Sequence, residues 1–344
     1  MKRANRDPFM FQEYKLALGL CTSFGQACEP GCIAFAIGAG GCGKTSIAKH
    51  LAKTIFGPPK NWSLGSKPVL LVQADLVDRA YFTTKSLMRS FICSVYDPFR
   101  SSLPAILNWD IEADLKKQLY DALTGCDPYE DSEPNMRPAF IEIAKLVGVK
   151  LIIVDEANLL VLIQRGRIPT DYLESLRLLA DQIGCCILLV GTLDMLELME
   201  YSAPLNRRGL DIHIDRMRCD SEEGKLELKS FLGHMEEEYG LEPGVLMNHV
   251  SEVYAATYGI PGEIVGLIDR SEHFKNALDA PCINWPLIQR AMHHPSKIAR
   301  LQEEADLIYR IINGKPLTSE ERIAITKRRR NRTKPQRRKV AEAT

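Results

Sequence analysis

The chain has 344 residues, with 44 Lys+Arg against 44 Asp+Glu, so its formal net charge is zero. Hydrophobic residues make up 45% of it, which allows a sizeable core and excludes wholesale disorder, collagen and coiled coil. No apolar run approaches the ~18–20 residues of a membrane span, and the N-terminal MKRANRDPFMFQEYK lacks the apolar region of a secretory signal.

Zero charge hides segregation. Nine basic residues lie between Lys327 and Lys339, with no acid among them. The remainder carries 35 basic against 44 acidic residues, net −9. A basic tail on an acidic body often binds nucleic acid. The alternatives are a solvated terminus or a docking peptide for a protein partner. The ten cysteines show no paired CxxC spacing, so a zinc site is not expected. The chain reads as a reducing, cytoplasmic protein with no membrane partner.

In chain order, residues 1–29 read as a helical extension. The apolar runs CIAFAI (32–37), PVLLVQ (68–73), KLIIV (150–154), CILLV (186–190) and LDIHI (210–214) then read as short buried strands. Between them, Thr45–Phe56, Lys85–Val95, Pro138–Leu146 and Tyr172–Ile183 carry apolar residues at helical spacing. Strands alternating with helices predict an α/β fold with a five-stranded parallel sheet. Cys126–Arg137, rich in Pro, Asp and Glu, reads as an exposed loop. Beyond about 220 the pattern is helical only, over Glu222–Tyr239, Pro243–Tyr258, Pro261–Phe274, Trp285–His293 and Ser296–Ile312. The expected organisation is an extension (1–29), an α/β domain (30–218), a small helical subdomain (219–295), and a C-terminal helix with the basic tail (296–344).

The first strand runs into Gly38-Ala-Gly-Gly-Cys-Gly43-Lys44-Thr45, which matches G-x-x-x-x-G-K-[ST] between a strand and a helix. Glycines let the backbone turn its N–H groups toward anionic oxygens. The following helix presents its positive end to the same phosphates. Gly38, Gly40, Gly41, Cys42, Gly43, Lys44, Thr45 and Ser46 are the expected nucleotide contacts. Lys44 would reach the β- and γ-phosphates of ATP, and Thr45 would hold Mg²⁺. The alternative is a chance glycine-rich turn.

The third strand ends in Asp155-Glu156, at the sheet edge where ligands bind. Asp155 fits the second Mg²⁺ ligand, and Glu156 a general base for the attacking water. The fourth strand ends at Thr192, which either orients that water or caps the helix Leu193–Tyr201. Arg207 and Arg208 would complete a neighbouring copy's site in trans, or form a solvated pair.

Taken together, these motifs look like an AAA+ ATPase with a helical lid. The segments GAGGCGKTS, LVQADLVDRAYFTTKSLMRSFICSV, LIIVDEANLL, IGCCILLVGTLDMLELM, Asn206-Arg-Arg-Gly-Leu and YGIPGEIVGLIDR also resemble, in order over about 30–295, a narrower family. That family is the transposition regulators TnsC, TniB and phage Mu B. Many AAA+ lids carry a nucleotide-touching arginine in the helix opened here by Pro261. This chain has Glu263 in that first turn, and its nearest arginine is Arg270.

The resemblance implies an ATP- and Mg²⁺-dependent regulator that forms rings or filaments on double-stranded DNA. It would link a target-selector protein to the transposase. DNA-facing candidates are Arg79, Lys85, Arg89, Arg165 and Arg167, whose phosphate contacts would give position rather than sequence reading. A nucleotide-gated protein adaptor without DNA contact, and a replication-type loader, are the alternatives.

Overall fold

The computed structural model describes residues 9–27, 29–63, 65–76, 81–100, 112–163, 168–200, 209–314, 318 and 320. Five strands, β1 (Ile33–Gly38), β2 (Val69–Gln73), β3 (Leu151–Asp155), β4 (Cys186–Gly191) and β5 (Asp211–Ile214), form one sheet in the order β2-β3-β4-β1-β5. All neighbours are parallel. Every residue of β1, β3 and β4 is buried, as expected of strands covered on both faces.

Register fixes which residues share the carboxyl edge. Ile37 pairs with Gly191, Gly38 with Ile214 and Gln73 with Asp155. Because β4 lies between β3 and β1, its end falls between the Asp155 strand and the glycine loop.

The N-terminal helix α1 (Gln12–Ala27) packs on α2 (Lys44–Phe56), β1 and β5. Helix α2 lies across β1, β2, β3 and β4. Beyond β2 come α3 (Thr84–Arg100), α4 (Ala113–Thr124) and α5 (Glu133–Leu146), and then α6 (Pro169–Ile183), which packs on β4. After β4, a 3₁₀ turn at Leu193–Met195 leads into the short α7 (Leu196–Glu200), where one continuous helix is expected from sequence.

The expected loop at Cys126–Arg137 is a loop only in its first half. Helix α5 starts at Glu133, with Ser132 at its N-cap and Pro134 in its first turn. Met136 and Phe140 are buried there. Proline in this stretch marks a helix start, where its missing N–H costs nothing.

The remaining helices are α8 (Glu222–Tyr239), α9 (Val250–Thr257), α10 (Pro261–Ala277), α11 (Trp285–Ala291) and α12 (Pro295–Ile312). The segment 243–258 is not one helix. Gly244 has φ 89°, and the buried Glu236 carboxylate accepts the N–H groups of Gly244, Leu246 and Met247 at 2.8, 2.6 and 2.9 Å. Those donors are thereby taken from any helical ladder.

The segment following β5 ties the two halves together. Met217 N–H donates to Gly259 O at 3.0 Å. Arg216, 3% exposed, donates to the Tyr254 hydroxyl at 2.8 Å and stacks 3.7 Å over the Tyr258 ring. It also lies 3.5 Å from Asp306 of α12. Arg218 stacks 3.7 Å over Tyr309 of the same helix. Among the described residues, no helix is long and apolar enough to cross a membrane.

Candidate functional site

The loop from β1 into α2 turns on Gly41 and Gly43, at φ 83° and 91°, where L side chains are strained. Gly43 caps α2 without any side chain. A Cβ on Gly38 would sit 2.5 Å from Ile214 O, so a glycine there lets the loop leave the sheet beside β5. Gly40 faces open space. Lys44 is 8% exposed, and its ammonium donates to Gly38 O at 3.0 Å and Ala39 O at 2.8 Å. Its cation therefore lies inside the loop, at the positive end of the 13-residue α2. Ser46 lies exposed in the first turn. Cys42 is buried, and that burial pushes its thiol up to about 12 against the pull of the Lys44 cation.

Thr45 and Asp155, 110 positions apart in sequence, meet here. The Thr45 hydroxyl donates to Asp155 Oδ2 at 2.6 Å. Asp155 Oδ1 accepts the Glu156 N–H at 2.9 Å. A hydroxyl and a carboxylate together, with a loop built for anions beside them, are hard oxygen donors of the kind Mg²⁺ takes alongside phosphate oxygens.

Glu156 itself is left-handed, at φ 53° and ψ 31°. This kink ends β3 and starts a 3₁₀ segment at Ala157–Leu162. The segment carries Asn158 back beneath β4. Asn158 is buried; its Oδ1 accepts the Thr192 N–H at 3.2 Å, and its Nδ2 donates to Glu156 Oε2 at 3.4 Å. Thr192 occupies the N-cap position of the following turn but makes no side-chain cap. Asn158 escaped the sequence reading. Its only signal there is a carboxamide two places after the paired acids.

Helix α10 opens directly on the loop. Gly262 N–H donates to Gly41 O at 2.8 Å, and a Cβ on Gly262 would meet the Gly41 backbone at 2.8 Å. Glu263 instead faces His293, at 3.2 Å. Burial, followed by the Arg270 and Lys297 cations, holds the His293 imidazole below its ordinary range. Arg270 donates through Nε to Ala291 O at 2.9 Å, which ties α10 to α11. From the other side, the Tyr14 ring of α1 lies 3.7 Å from where a Gly43 Cβ would be.

Lys85 and Arg89 stand exposed on the first two turns of α3. They line a separate pocket of about 570 Å³ with Thr83, Ser86 and Ser132. Arg89 lies 5.9 Å from the centre of the Tyr129 ring. No residue of the glycine loop lines this pocket. A parallel bridge between Phe82 and Ile163 joins the start of α3 to the segment that follows Glu156. Arg79, Arg165, Arg167, Arg207, Arg208 and the basic tail lie outside the described residues.

Residues 29–199 match the family described as AAA domain. Among solved structures, the chain is similar to the Aeropyrum pernix ORC2 protein in its ADPNP–ADP complexes. The identity is 14% and the TM-score 0.52, over 83% of this chain and 69% of that one. The Aeropyrum pernix ORC1 protein in complex with DNA matches at 14% identity and TM-score 0.54, over 83% and 66%. A Walker-type ATPase of Pyrococcus abyssi matches at 15% identity and TM-score 0.52, over 97% and 92%. At such identities the likeness is one of fold. The sequence matches none of the curated proteins.

Proposed function

With the AAA domain of residues 29–199 as premise, we propose that this chain is an ATPase whose nucleotide state controls its assembly on duplex DNA. The observation that carries the chemistry is the 2.6 Å bond between Thr45 and Asp155, which joins the phosphate loop to the acidic strand end.

The loop N–H groups and Lys44 bind the phosphates, and Lys44 exchanges its bonds to Gly38 O and Ala39 O for the nucleotide's oxygens. Thr45 and Asp155 would hold Mg²⁺, which would supply charge neutralisation at the phosphates. Glu156 takes a proton from the attacking water, and Thr192 orients that water. Arg207 or Arg208 of a neighbouring copy completes the site, so nucleotide stabilises a ring or filament and hydrolysis loosens it.

Duplex DNA is the partner supported by the basic tail, by Lys85 and Arg89, and by the fold shared with an ORC1 protein seen with DNA. An acidic body does not coat DNA by bulk attraction. Its basic residues act once assembly gathers them, which makes binding ATP-dependent and salt-sensitive. The finer reading is a transposition regulator that links a target selector to a transposase. It rests on the ordered sequence segments that resemble the TnsC, TniB and Mu B regulators.

The test is a gel-shift and ATPase series on duplex DNA with ATP or a non-hydrolysable analogue. Retention only with nucleotide, falling with salt, is expected. Glu156→Gln should keep nucleotide-dependent retention and lose turnover. Absence of ATP-dependent retention at every salt concentration overturns the DNA reading in favour of a protein-directed adaptor. Stimulation of transposase-driven insertion by the wild-type chain tests the transposition reading.

A further inference from the structure

Resting on the reading of Glu156 as base, we propose that Asn158 is the positioning residue of the hydrolytic site. One carboxamide sets Glu156 and Thr192 relative to each other. Several observations converge on it.

The amide lies between the ends of two adjacent strands, β3 and β4, and bonds to both. Its orientation follows from its partners. A backbone N–H only donates, so the end facing Thr192 must be the oxygen. The NH₂ end is then directed at Glu156, whose carboxylate only accepts when ionised. A single planar group thus reads both partners with the polarity each requires. Leucine or aspartate, of similar size, would not.

The site is also built around this side chain. β4 ends in Gly191, where a Cβ would meet Asn158 Oδ1 at 2.7 Å, Asn158 N at 2.9 Å and Met195 Sδ at 2.2 Å. A larger residue at 191 would press on Met195 and on Asn158 alike. The left-handed Glu156 supplies the other half, because it curls the chain so that position 158 returns under β4. Leu159 N–H closes the turn on Glu156 O at 2.9 Å. Such backbone conformations cost about 1–3 kcal/mol in non-glycine residues and persist where surrounding contacts enforce them.

The consequence is a fixed relation between the base and the backbone that carries the Thr192 hydroxyl, at the ends of two adjacent strands. Base catalysis depends on that relation more than binding does, since the phosphates are held elsewhere, by the glycine loop and Lys44. Removing the Asn158 donor should therefore lower kcat without weakening nucleotide binding.

The experiment uses the full chain and three variants. Asn158→Asp keeps an oxygen for Thr192 and removes the donor to Glu156. Asn158→Ala removes both. Glu156→Gln tests the base itself. Hydrolysis kinetics, binding of a fluorescent ATP analogue and amide exchange at Thr192 in the nucleotide-free protein are read for each. Expected for Asn158→Asp is a kcat lower by about 10- to 100-fold, analogue affinity within about twofold of wild type, and a Thr192 amide still protected. Asn158→Ala should lose kcat similarly, and its Thr192 amide should exchange faster. If Glu156→Gln hydrolyses at the wild-type rate, both the base assignment and this inference fall. If Glu156→Gln is inactive while Asn158→Asp and Asn158→Ala turn over normally, or Thr192 exchange is unchanged in Asn158→Ala, this inference falls alone.

Discussion

Two buried cations, Lys44 after β1 and Arg216 just after β5, draw their partners from different distances. Lys44 is bound by Gly38 O and Ala39 O, six and five positions away along the chain. Arg216 is satisfied by Tyr254, 38 positions away, by the Tyr258 ring, and by Asp306 on the C-terminal helix. The first arrangement is assembled by one turn of main chain. The second exists only while α9 with its cap Tyr258 and α12 are docked. The phosphate loop should therefore persist when the helical part loosens, and the seam around Arg216 should report that loosening.

The sharpest break in this comparison is Lys44→Ala. It should weaken nucleotide binding by about 100-fold or more and leave the melting temperature of the nucleotide-free protein nearly unchanged. Binding of a fluorescent ATP analogue and thermal melting separate the two quantities.

Arg216→Ala should do the reverse. It removes a buried stack, a hydrogen bond and an ion pair, at about 2–3 kcal/mol of stability. Chemical denaturation should show the loss with local nucleotide contacts intact. Equal effects of both substitutions on binding and stability would dissolve the distinction.

Gly262→Ala tests where the two regions touch. A Cβ there meets the Gly41 backbone at 2.8 Å, so about 1–3 kcal/mol of strain is expected. Both stability and nucleotide affinity should fall, because the strain is shared by α10 and the loop.

The smallest effect is expected at Asp215. Burial, ahead of the opposing Arg216 and Arg218 charges, raises its carboxyl above the ordinary 3.8. Its favourable contribution is thus complete below that ordinary value and is lost as pH rises through the raised one. Asp215→Asn should flatten stability against pH over that window and add under about 1 kcal/mol at neutral pH. A pH series of denaturation midpoints checks it.

Much of the edge geometry was legible in the residues. Continuous apolar runs marked β1, β3 and β4, because strands covered on both faces need no alternation. The loop was legible because only glycines tolerate the backbone at positions 41 and 43. The docking of α10 on the loop was not, since Gly262 is set by its contact with Gly41, more than two hundred positions away. Asn158 was hidden for the same reason, its partners being fixed by a kink at Glu156 and a missing Cβ at Gly191. Helix α4 was overlooked although Leu115, Leu119, Ala122 and Leu123 recur at helical spacing. Nothing in the sequence singles out Arg216 and Arg218, because the Tyr258 and Tyr309 rings they stack on are distant in the chain.

Cys42 has a practical side. A thiol pushed up to about 12 carries almost no thiolate at neutral pH, and its side chain is 1% exposed. Thiol reagents and mild oxidants act on thiolates. The nucleotide loop therefore contains a cysteine that is chemically silent. Among the described cysteines, maleimide dyes should attach first at the partly exposed Cys93, Cys219 and Cys282. Fluorescent labelling of the protein is thus compatible with an untouched phosphate loop, and modification of Cys42 would itself signal that the loop had opened.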